Sequence, residues 1–290
     1  MSQHLSATLD ALERAVGGVE LAVAPRVLLV TPTHPWKGRE TVLPHLIDVV
    51  KEQSSQSGLP AARSVFWTVV EDGPKTDDKI AEKLRSSGLP HEYFAHEGKH
   101  GHDWGNPQRN QALERIVDNK RTGVVHFLDD DVKIGDSFMS LVRQTKPRAV
   151  SVMAIANLGP HGVERPLYDK DSHDFAGWDA GWASRRFPVD MNAFSFDAAL
   201  LDGLRRPLFD HEGFGGETEM VERLISKPEE LQPLGNLCSE VSVLHNGWKD
   251  PARVREAERR EADAAVERPL DLERAVRQAC EREATSARIR

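Results

Sequence analysis

Four short apolar runs, each rich in β-branched residues, stand out along the first half of the chain. They are RVLLVT (26–31), SVFWTVVED (64–72), GVVHFLD (123–129) and AVSVMAIA (149–156). Their apolar positions are nearly continuous and do not alternate with polar ones, which is typical of parallel strands whose two faces are both covered. The pattern therefore predicts four buried strands.

Amphipathic segments with helical spacing lie between these runs, at residues 40–53, 77–88 and 106–123. Gly88 is the expected C-cap of the second segment, and Asn106 and Pro107 are the expected N-cap and first-turn residue of the third. Alternating strands and helices predict an α/β fold with a mostly parallel sheet and helices on both of its faces. In such sheets, ligands bind beyond the carboxyl ends of the strands.

Three regions depart from this alternation. Residues 1–20 form an amphipathic pattern with acidic residues, which predicts a helix and not a secretory signal. Residues 159–190 are polar, rich in Gly and aromatic side chains and low in periodicity, and a long irregular stretch of this kind is more often functional than idle. The tail, residues 251–290, predicts two charged helices that are either solvated or an oligomer contact. One α/β domain is therefore expected over residues 21–250.

Composition and charge narrow the choice of function only slightly. The 290 residues are 39% hydrophobic and 29% charged, which suits a globular domain, and the formal net charge of -8 argues against a nucleic-acid partner. No apolar stretch approaches the roughly 20 residues that span a bilayer. The two cysteines, Cys238 and Cys280, imply no disulfide framework, so a reducing, cytoplasmic setting is expected.

Three consecutive carboxylates, Asp129 to Asp131, follow the third apolar run directly. Adjacent carboxylates repel one another unless a cation or hydrogen-bond donors compensate them. Mg²⁺ and Mn²⁺ take oxygen ligands and bridge to diphosphates, so this pattern suits nucleotide-sugar chemistry. One alternative is a turn that caps the next helix. Another is an aspartyl-phosphate phosphatase, but Lys133 stands where that motif usually has Thr or Val.

Six motifs in the same order resemble the inverting glycosyltransferases of family 43, the glucuronyltransferase and plant xylan-synthesis family. In chain order they are VLLVTPTHPW, FWTVVEDG, GNPQRNQAL, GVVHFLDDD, FPVDMNAF and VSVLHNGWKDP. The fifth is similar to the family's Phe-Pro-Val-Asp-Met-Ala-Gly-Phe. The resemblance spans about residues 26–251, and it implies a GT-A fold, which is a Rossmann-like sheet that binds a UDP-sugar.

The resemblance also implies a role for residues at the strand ends. Pro32 and Thr33 are expected to border the uracil, and Asp72 is expected to accept a hydrogen bond from the base. Arg109, in the first turn of a helix, is expected to face the nucleotide. His245, on the last motif, is expected to reach the diphosphate.

Within the carboxylate triplet, the resemblance assigns Asp129 and Asp130 to the ribose or to the waters of a metal ion. Asp131 is the expected ligand of Mn²⁺ or Mg²⁺, which would act as an electrostatic clamp on the diphosphate. Without the resemblance, the same residues fit the helix-capping turn equally well.

Glu217, in GFGGETEMVERL, resembles the family's glutamate at the start of a helix, and is the expected general base. An inverting enzyme needs one carboxylate that deprotonates the acceptor hydroxyl as it attacks the anomeric carbon. Glu219 is the alternative base, and Glu217 alone would also be explained as a complement to its helix dipole.

The acceptor is expected to contact Trp182, whose indole would stack on a sugar, and Asp190, which would bond sugar hydroxyls. Trp182 is alternatively a core residue. Arg185 or Arg186 is expected to assist at the phosphate. The acceptor itself is a glycan, a lipid-linked oligosaccharide or a small molecule, and a homodimer is expected.

Departures from the family pattern affect the expected donor. Gly213 stands where the glucuronyltransferases have an arginine, four residues before the catalytic Glu, that faces the donor carboxylate. A uronate without that cation would be poorly held, so a neutral UDP-sugar is expected. Trp104 likewise replaces an arginine, and His34 replaces a tyrosine. The chain also lacks a signal anchor at its start and resembles a soluble bacterial relative.

The sequence therefore predicts a metal-dependent inverting glycosyltransferase that uses a UDP-sugar. A nucleotidyltransferase on a similar sheet is one alternative, and it would need a Gly-rich, cationic loop after the first strand. The segment TPTHPWKGRE offers Lys37 and Arg39 there but not the glycine pattern. A non-catalytic nucleotide-sugar-binding subunit is the other alternative, although the expected base and Asp motif are both present.

Overall fold

The structure is a computed structural model that describes residues 24–98, 105–157, 162–181, 184–209 and 216–245. The predicted N-terminal helix at 1–20 and the predicted helical tail at 251–290 both lie outside these residues. The described residues form strands and helices in two sheets, and their bounds are given next.

The strands are Val27–Thr33 (β1), Val65–Glu71 (β2), His91–Ala95 (β3), Val124–Phe127 (β4), Lys133–Ile134 (β5), Val150–Val152 (β6), Ala154–Asn157 (β7), Val163–Tyr168 (β8), Phe175–Asp179 (β9), Phe194–Asp197 (β10), Gln232–Pro233 (β11) and Val241–His245 (β12). The α-helices are Arg39–Gln56 (α1), Ala61–Ser64 (α2), Asp78–Ser87 (α3), Asn106–Asp118 (α4), Phe138–Val142 (α5) and Gly216–Leu224 (α6). A left-handed turn, Gly235–Cys238, precedes β12.

The larger sheet has seven strands in the order β11-β6-β10-β4-β1-β2-β3. Strands β4, β1, β2 and β3 run parallel, and β10 is antiparallel to both of its neighbours. The prediction of a mostly parallel sheet is therefore confirmed. Three of the four predicted runs are β1, β2 and β4, whose carboxyl ends lie side by side.

Both faces of this sheet are covered, as the unbroken apolar runs predicted. Along β1, Val27 and Leu29 join one core cluster, which includes side chains of α1, α3 and α5. Leu28 and Val30 join the other cluster, which includes side chains of α4 and α6. Because successive side chains of a strand point to opposite faces, a run that serves two cores has to be apolar throughout.

A second sheet of five strands, in the order β5-β12-β7-β8-β9, was not predicted. The prediction that residues 149–156 form one strand is wrong, because the run divides at Met153 into β6 of the larger sheet and β7 of the second. Met153 lies between β6 and β7 in the chain, and its amide donates a hydrogen bond to the Ala193 carbonyl at 2.8 Å. The irregular stretch predicted at 159–190 contains the antiparallel hairpin β8–β9.

Helix ends follow the capping signals in one case and depart from them in another. Asp77 caps α3 through bonds from the amides of its first turn, and Gly88 ends it in the left-handed conformation, as predicted. Asn106 is not an N-cap, because Gly105 holds that position and Asn106 is the first residue of α4. The predicted helix to residue 123 ends at Asp118.

Replacing Gly123, immediately before β4, by alanine is expected to destabilise the fold by about 3 kcal/mol or more, because a methyl group there overpacks the interior. Its φ is +135°, and a Cβ would lie 2.3 Å from the Arg26 carbonyl oxygen, at the start of β1. Gly203→Ala is the matched control: its φ is +77°, and nothing lies within 4 Å of the added carbon. Left-handed strain alone costs about 1–2 kcal/mol. Equal losses in urea unfolding would contradict the steric argument.

Candidate active site

The carboxyl ends of β1, β2, β4 and β12 meet at one edge of the molecule and carry most of the predicted site residues. Three of these side chains, Thr33, Asp130 and Asp131, are buried, at 1%, 7% and 8% exposure. Since this edge lies beyond the ends of parallel strands, it is where a ligand of such a sheet is expected.

Asp130 lies deepest among the three carboxylates. Its Oδ2 accepts hydrogen bonds from Thr33 Oγ1 at 2.6 Å and from Trp36 Nε1 at 2.9 Å. Burial raises the pKa of Asp130 to about 7, helped by the charges of Asp131 and Asp129 and opposed by the two hydrogen bonds. A carboxyl group that titrates near neutrality therefore lies at the centre of the site.

Asp129 is held by the protein through both carboxylate oxygens. Arg109 Nη2 donates to Oδ1 at 2.5 Å, and Asn192 Nδ2 donates to Oδ2 at 3.0 Å. Arg109 is buried, with its guanidinium 6.0 Å from the ring centroid of Phe127. In the structure this guanidinium pairs with Asp129, and its expected contact with the nucleotide stays a prediction.

His245, the last residue of β12, connects Asp131 with Asp190. Its Nδ1 donates to Asp190 Oδ2 at 2.5 Å, and its Nε2 is 3.8 Å from Asp131 Oδ1. Burial on its own would lower the pKa of His245, but the charge and hydrogen bond of Asp190, with the charges of Asp131 and Asp129, raise it. His245 and Asp190 thus form a partly buried ion pair.

The donor atoms at this edge fit a divalent cation. One ligand atom from each of Asp129, Asp131 and His245 lies within 4.8 Å of the other two. Carboxylate oxygens are the ligands that Mg²⁺ and Mn²⁺ prefer, whereas His245 cannot be a ligand while it carries the proton of its pair with Asp190. The residues present therefore suit the predicted metal ion.

Glu217 lies in the first turn of α6, as predicted. Its Oε2 is 3.8 Å from Arg185 Nη1. Burial raises the pKa of Glu217, and the charge of Asp190 adds to the rise. The alternative base, Glu219, instead binds Arg223 on its own helix at 2.5 Å. Glu217 is therefore the better placed of the two to accept a proton.

The remaining nucleotide-binding candidates lie at the ends of β1 and β2. The Asp72 amide donates to the Thr33 carbonyl at 2.7 Å, and Asp72 Oδ1 accepts from the Gly98 amide at 2.9 Å. Pro32 abuts Gly105, where an added Cβ would lie 2.9 Å from the proline Cβ. These contacts bring Asp72 and Pro32 to the same edge as the carboxylates.

Arg39, considered above as a phosphate-binding cation, is 3% exposed and is paired with the buried Glu71 at 2.5 Å. It also binds Asp77 at 2.7 Å, while Tyr93 donates to the second oxygen of Glu71. The nucleotidyltransferase alternative therefore loses one of its two cations. The pair instead fixes the start of α1 against the end of β2.

On the acceptor side, Asp190 is described and Trp182 lies outside the described residues. Another tryptophan, Trp178 on β9, lines a small cavity that Glu164 and Asp190 also border. Trp178 packs edge-on against Phe175, with ring centroids 5.3 Å apart. The second sheet thus brings Trp178 and the carboxylate of Glu164 beside Asp190.

Sequence reasoning missed several residues of this edge. Asn192 and Trp36 both bind a carboxylate of the triplet, and Arg39 pairs with Glu71 nearby. The signal for Asn192 was present, because it is the one polar residue within the segment MNAF. Trp36 follows two polar turn residues and a proline, and nothing in that pattern indicates its partner.

The sheet order and the carboxylate-bearing edge define the class of protein, a glycosyltransferase of the GT-A fold. Among solved structures, the chain is similar to S. aureus TarS 1–349 in complex with UDP-GlcNAc, with a TM-score of 0.53 and 16% identity, over 86% of this chain and 69% of that one. This similarity indicates a shared fold.

The chain belongs to glycosyltransferase family 43, whose sequence model matches residues 56–249. It is 30% identical to the galactosylgalactosylxylosylprotein 3-beta-glucuronosyltransferase I of Drosophila melanogaster, over 76% of this chain and 75% of that protein. It is 25% identical to the 3-beta-glucuronosyltransferase 2 of Homo sapiens, over 76% and 68%. The chain is therefore an inverting, UDP-sugar-dependent glycosyltransferase.

No helix within the described part of the chain has the length and apolar character needed to cross a membrane.

Asp130→Asn is expected to stabilise the folded protein at pH 8 and to make little difference at pH 4. The pKa of this carboxyl group is 3.8 in the unfolded chain and about 7 in the folded protein. The folded protein therefore loses stability as the pH rises from 3.8 to about 7, because the buried carboxyl group has to ionise. Each pKa unit corresponds to about 1.4 kcal/mol. Melting temperatures at both pH values measure the effect. Asp202→Asn, at an exposed position, is the control, and an equal gain there would contradict the assignment.

Proposed function

We propose that this enzyme transfers a neutral sugar from UDP to a hydroxyl group of a glycan acceptor, with a divalent cation at the carboxylate edge. The observation that carries the proposal is the convergence of Asp131, His245 and Asp190 beside Asp129, with Glu217 on a neighbouring helix. The single edge thus offers a candidate cation site, a partly buried ion pair and a candidate base.

The uridine is proposed to lie at the ends of β1 and β2. Pro32 and Thr33 would border the uracil, and Asp72 would accept a hydrogen bond from it. Asp130 is proposed to bond the ribose through Oδ1, since Oδ2 already accepts from Thr33 and Trp36. A hydroxyl donor at this carboxylate would favour its ionised form and offset part of the burial that raises its pKa.

Asp131 is the proposed protein ligand of Mn²⁺ or Mg²⁺. When bound there, the cation would supply positive charge to the diphosphate oxygens as they depart. Asp129, which Arg109 and Asn192 hold in place, is proposed to orient water around the ion. His245 carries a proton through its pairing with Asp190 and is proposed to contact the diphosphate.

Glu217 is proposed to act as general base in a direct displacement. The acceptor oxygen attacks the anomeric carbon from the face opposite UDP, the bond between that carbon and the diphosphate oxygen breaks, and the hydroxyl proton passes to the Glu217 carboxylate. The raised pKa of Glu217 supports this role, because a stronger base accepts a proton more readily at neutral pH.

The proposed donor is neutral although the relatives are named glucuronosyltransferases. Gly213 occupies the place of the family arginine that would face a uronate, and it lies outside the described residues. A buried carboxylate without a cationic partner is strongly disfavoured. UDP-xylose, UDP-galactose, UDP-glucose or a UDP-N-acetylhexosamine is therefore preferred.

The names of the relatives describe a glycan on a protein as acceptor, and a sugar hydroxyl is proposed here as well. Asp190 and Trp182 are the proposed acceptor contacts. A cytoplasmic location and a homodimeric assembly complete the proposal.

UDP release from a donor panel tests this function. With Mn²⁺ present, the purified protein is expected to release UDP from at least one neutral UDP-sugar at least tenfold faster than from UDP-glucuronate, a difference of about 1.4 kcal/mol. Chelation by EDTA should abolish release, and Mn²⁺ should restore it. Fastest release from UDP-glucuronate would overturn the donor assignment, and full activity in EDTA would overturn the metal.

Glu217→Gln is expected to lower kcat by about 10²–10⁴-fold while UDP affinity stays within about twofold, since the amide cannot accept the proton. In the wild type, kcat should fall as pH drops through the pKa of Glu217, which lies above the usual value of 4.5 for a glutamate. Glu219→Gln, on the same helix, is the matched control. Retained activity in Glu217→Gln, or a comparable loss in Glu219→Gln, would assign the base elsewhere.

A further inference from the structure

Asn192 lies between two carboxylates of the site and has no exposed surface. Its Nδ2 donates to Asp129 Oδ2 and to Asp190 Oδ1, both at 3.0 Å. Its Oδ1 accepts from the Asp129 amide at 2.7 Å. Both amide hydrogens and the carbonyl oxygen of Asn192 are therefore engaged by groups of the active site.

The two carboxylates that Asn192 joins lie on neighbouring segments of the larger sheet. Asp129 follows β4, and its other oxygen binds Arg109. Asp190 precedes β10, which pairs with β4, and its other oxygen binds His245 on β12 of the five-stranded sheet. The Asn192 side chain donates to both carboxylates and is therefore their shared hydrogen-bond partner.

We propose that Asn192 is a positioning residue for sugar transfer, which holds Asp129 on the donor side and Asp190 on the acceptor side in one fixed relation. The inference rests on the function proposed above for this edge. A neutral donor between two partly buried carboxylates satisfies one oxygen of each without adding charge. If the amide is removed, Arg109 and His245 still hold their own carboxylates, but the two carboxylates lose their shared hydrogen-bond donor.

This reasoning predicts an effect on turnover and not on binding. Each carboxylate keeps its own cation, so the affinity for UDP with Mn²⁺ and the KM for the donor should change by less than about twofold. A small misplacement of one carboxylate relative to the other lowers the rate of the chemical step, so kcat should fall by about tenfold or more.

The test compares the wild type with Asn192→Ala and Asn192→Asp. The probes are UDP with Mn²⁺, by calorimetry, and UDP release from whichever panel donor the wild type uses fastest. Alanine stands at this point of the family motif and is expected to allow folding. Aspartate keeps the size of the side chain but donates no hydrogen bond when ionised, and it places a third negative charge between the other two. It should therefore lower kcat at least as far as alanine.

Gln53→Ala is the matched control. Gln53 is also a buried amide, bonded to the Gly135 carbonyl at 2.9 Å and to the Met139 amide at 3.1 Å, but it contacts no residue assigned to the reaction. Its loss should lower the melting temperature and leave kcat unchanged. If Asn192 had only a packing role, Asn192→Ala would behave in the same way, and Asn192→Asp would be the milder change.

Crystal structures of the wild type and Asn192→Ala give a readout that does not require activity. The separation between the Asp129 and Asp190 carboxylates should increase in the variant, and an unchanged separation would overturn the proposal. A wild type that is inert on every donor, with the separation increased in the variant, would refute the proposed function and leave the positioning role supported. An active wild type with unaltered kcat in Asn192→Ala would refute the positioning role alone.

Discussion

The mutual repulsion of three consecutive carboxylates at the end of β4 is the constraint on which the rest of the site depends. Each carboxylate is compensated differently: Asp129 by the guanidinium of Arg109, Asp130 by neutral donors, and Asp131 by the imidazole of His245. The compensating groups come from α4, from β1 and the turn after it, and from β12. The charges of the triplet are therefore compensated only when these elements have assembled.

Unequal environments give the acidic groups unequal chemistry. Asp190, beside His245 and Asn192, has a lowered pKa in spite of its burial, whereas the pKa values of Asp130 and Glu217 are raised. Acids that differ in this way within a few ångströms are characteristic of catalytic sites. The ionised Asp190 maintains a charged imidazole, and the raised pKa of Glu217 is the property that a proton acceptor requires.

The sequence was informative wherever a local pattern determines the structure. Unbroken apolar runs predicted β1, β2 and β4, the capping signal of Gly88 located the C-terminal end of α3, and Glu217 was correctly placed in the first turn of a helix. The division at Met153 could not be found in this way, because apolar periodicity does not reveal a change of partner strand. The ties of Asn192 to Asp129, 63 residues away, and of Arg39 to Glu71 depend on the assembled fold, and no local signal encodes them.

The division of the molecule into two sheets has an evolutionary consequence. The nucleotide candidates lie mainly on the larger sheet, whereas the β8–β9 hairpin forms the outer edge of the smaller one. Mutations at exposed positions of this hairpin, such as Leu167, leave the packing of β1, β2 and β4 intact, whereas Val163 belongs to the same core cluster as Leu28 and Val30. Descendants of a common ancestor can therefore diversify in the molecules they modify while inheriting an unaltered mode of substrate activation.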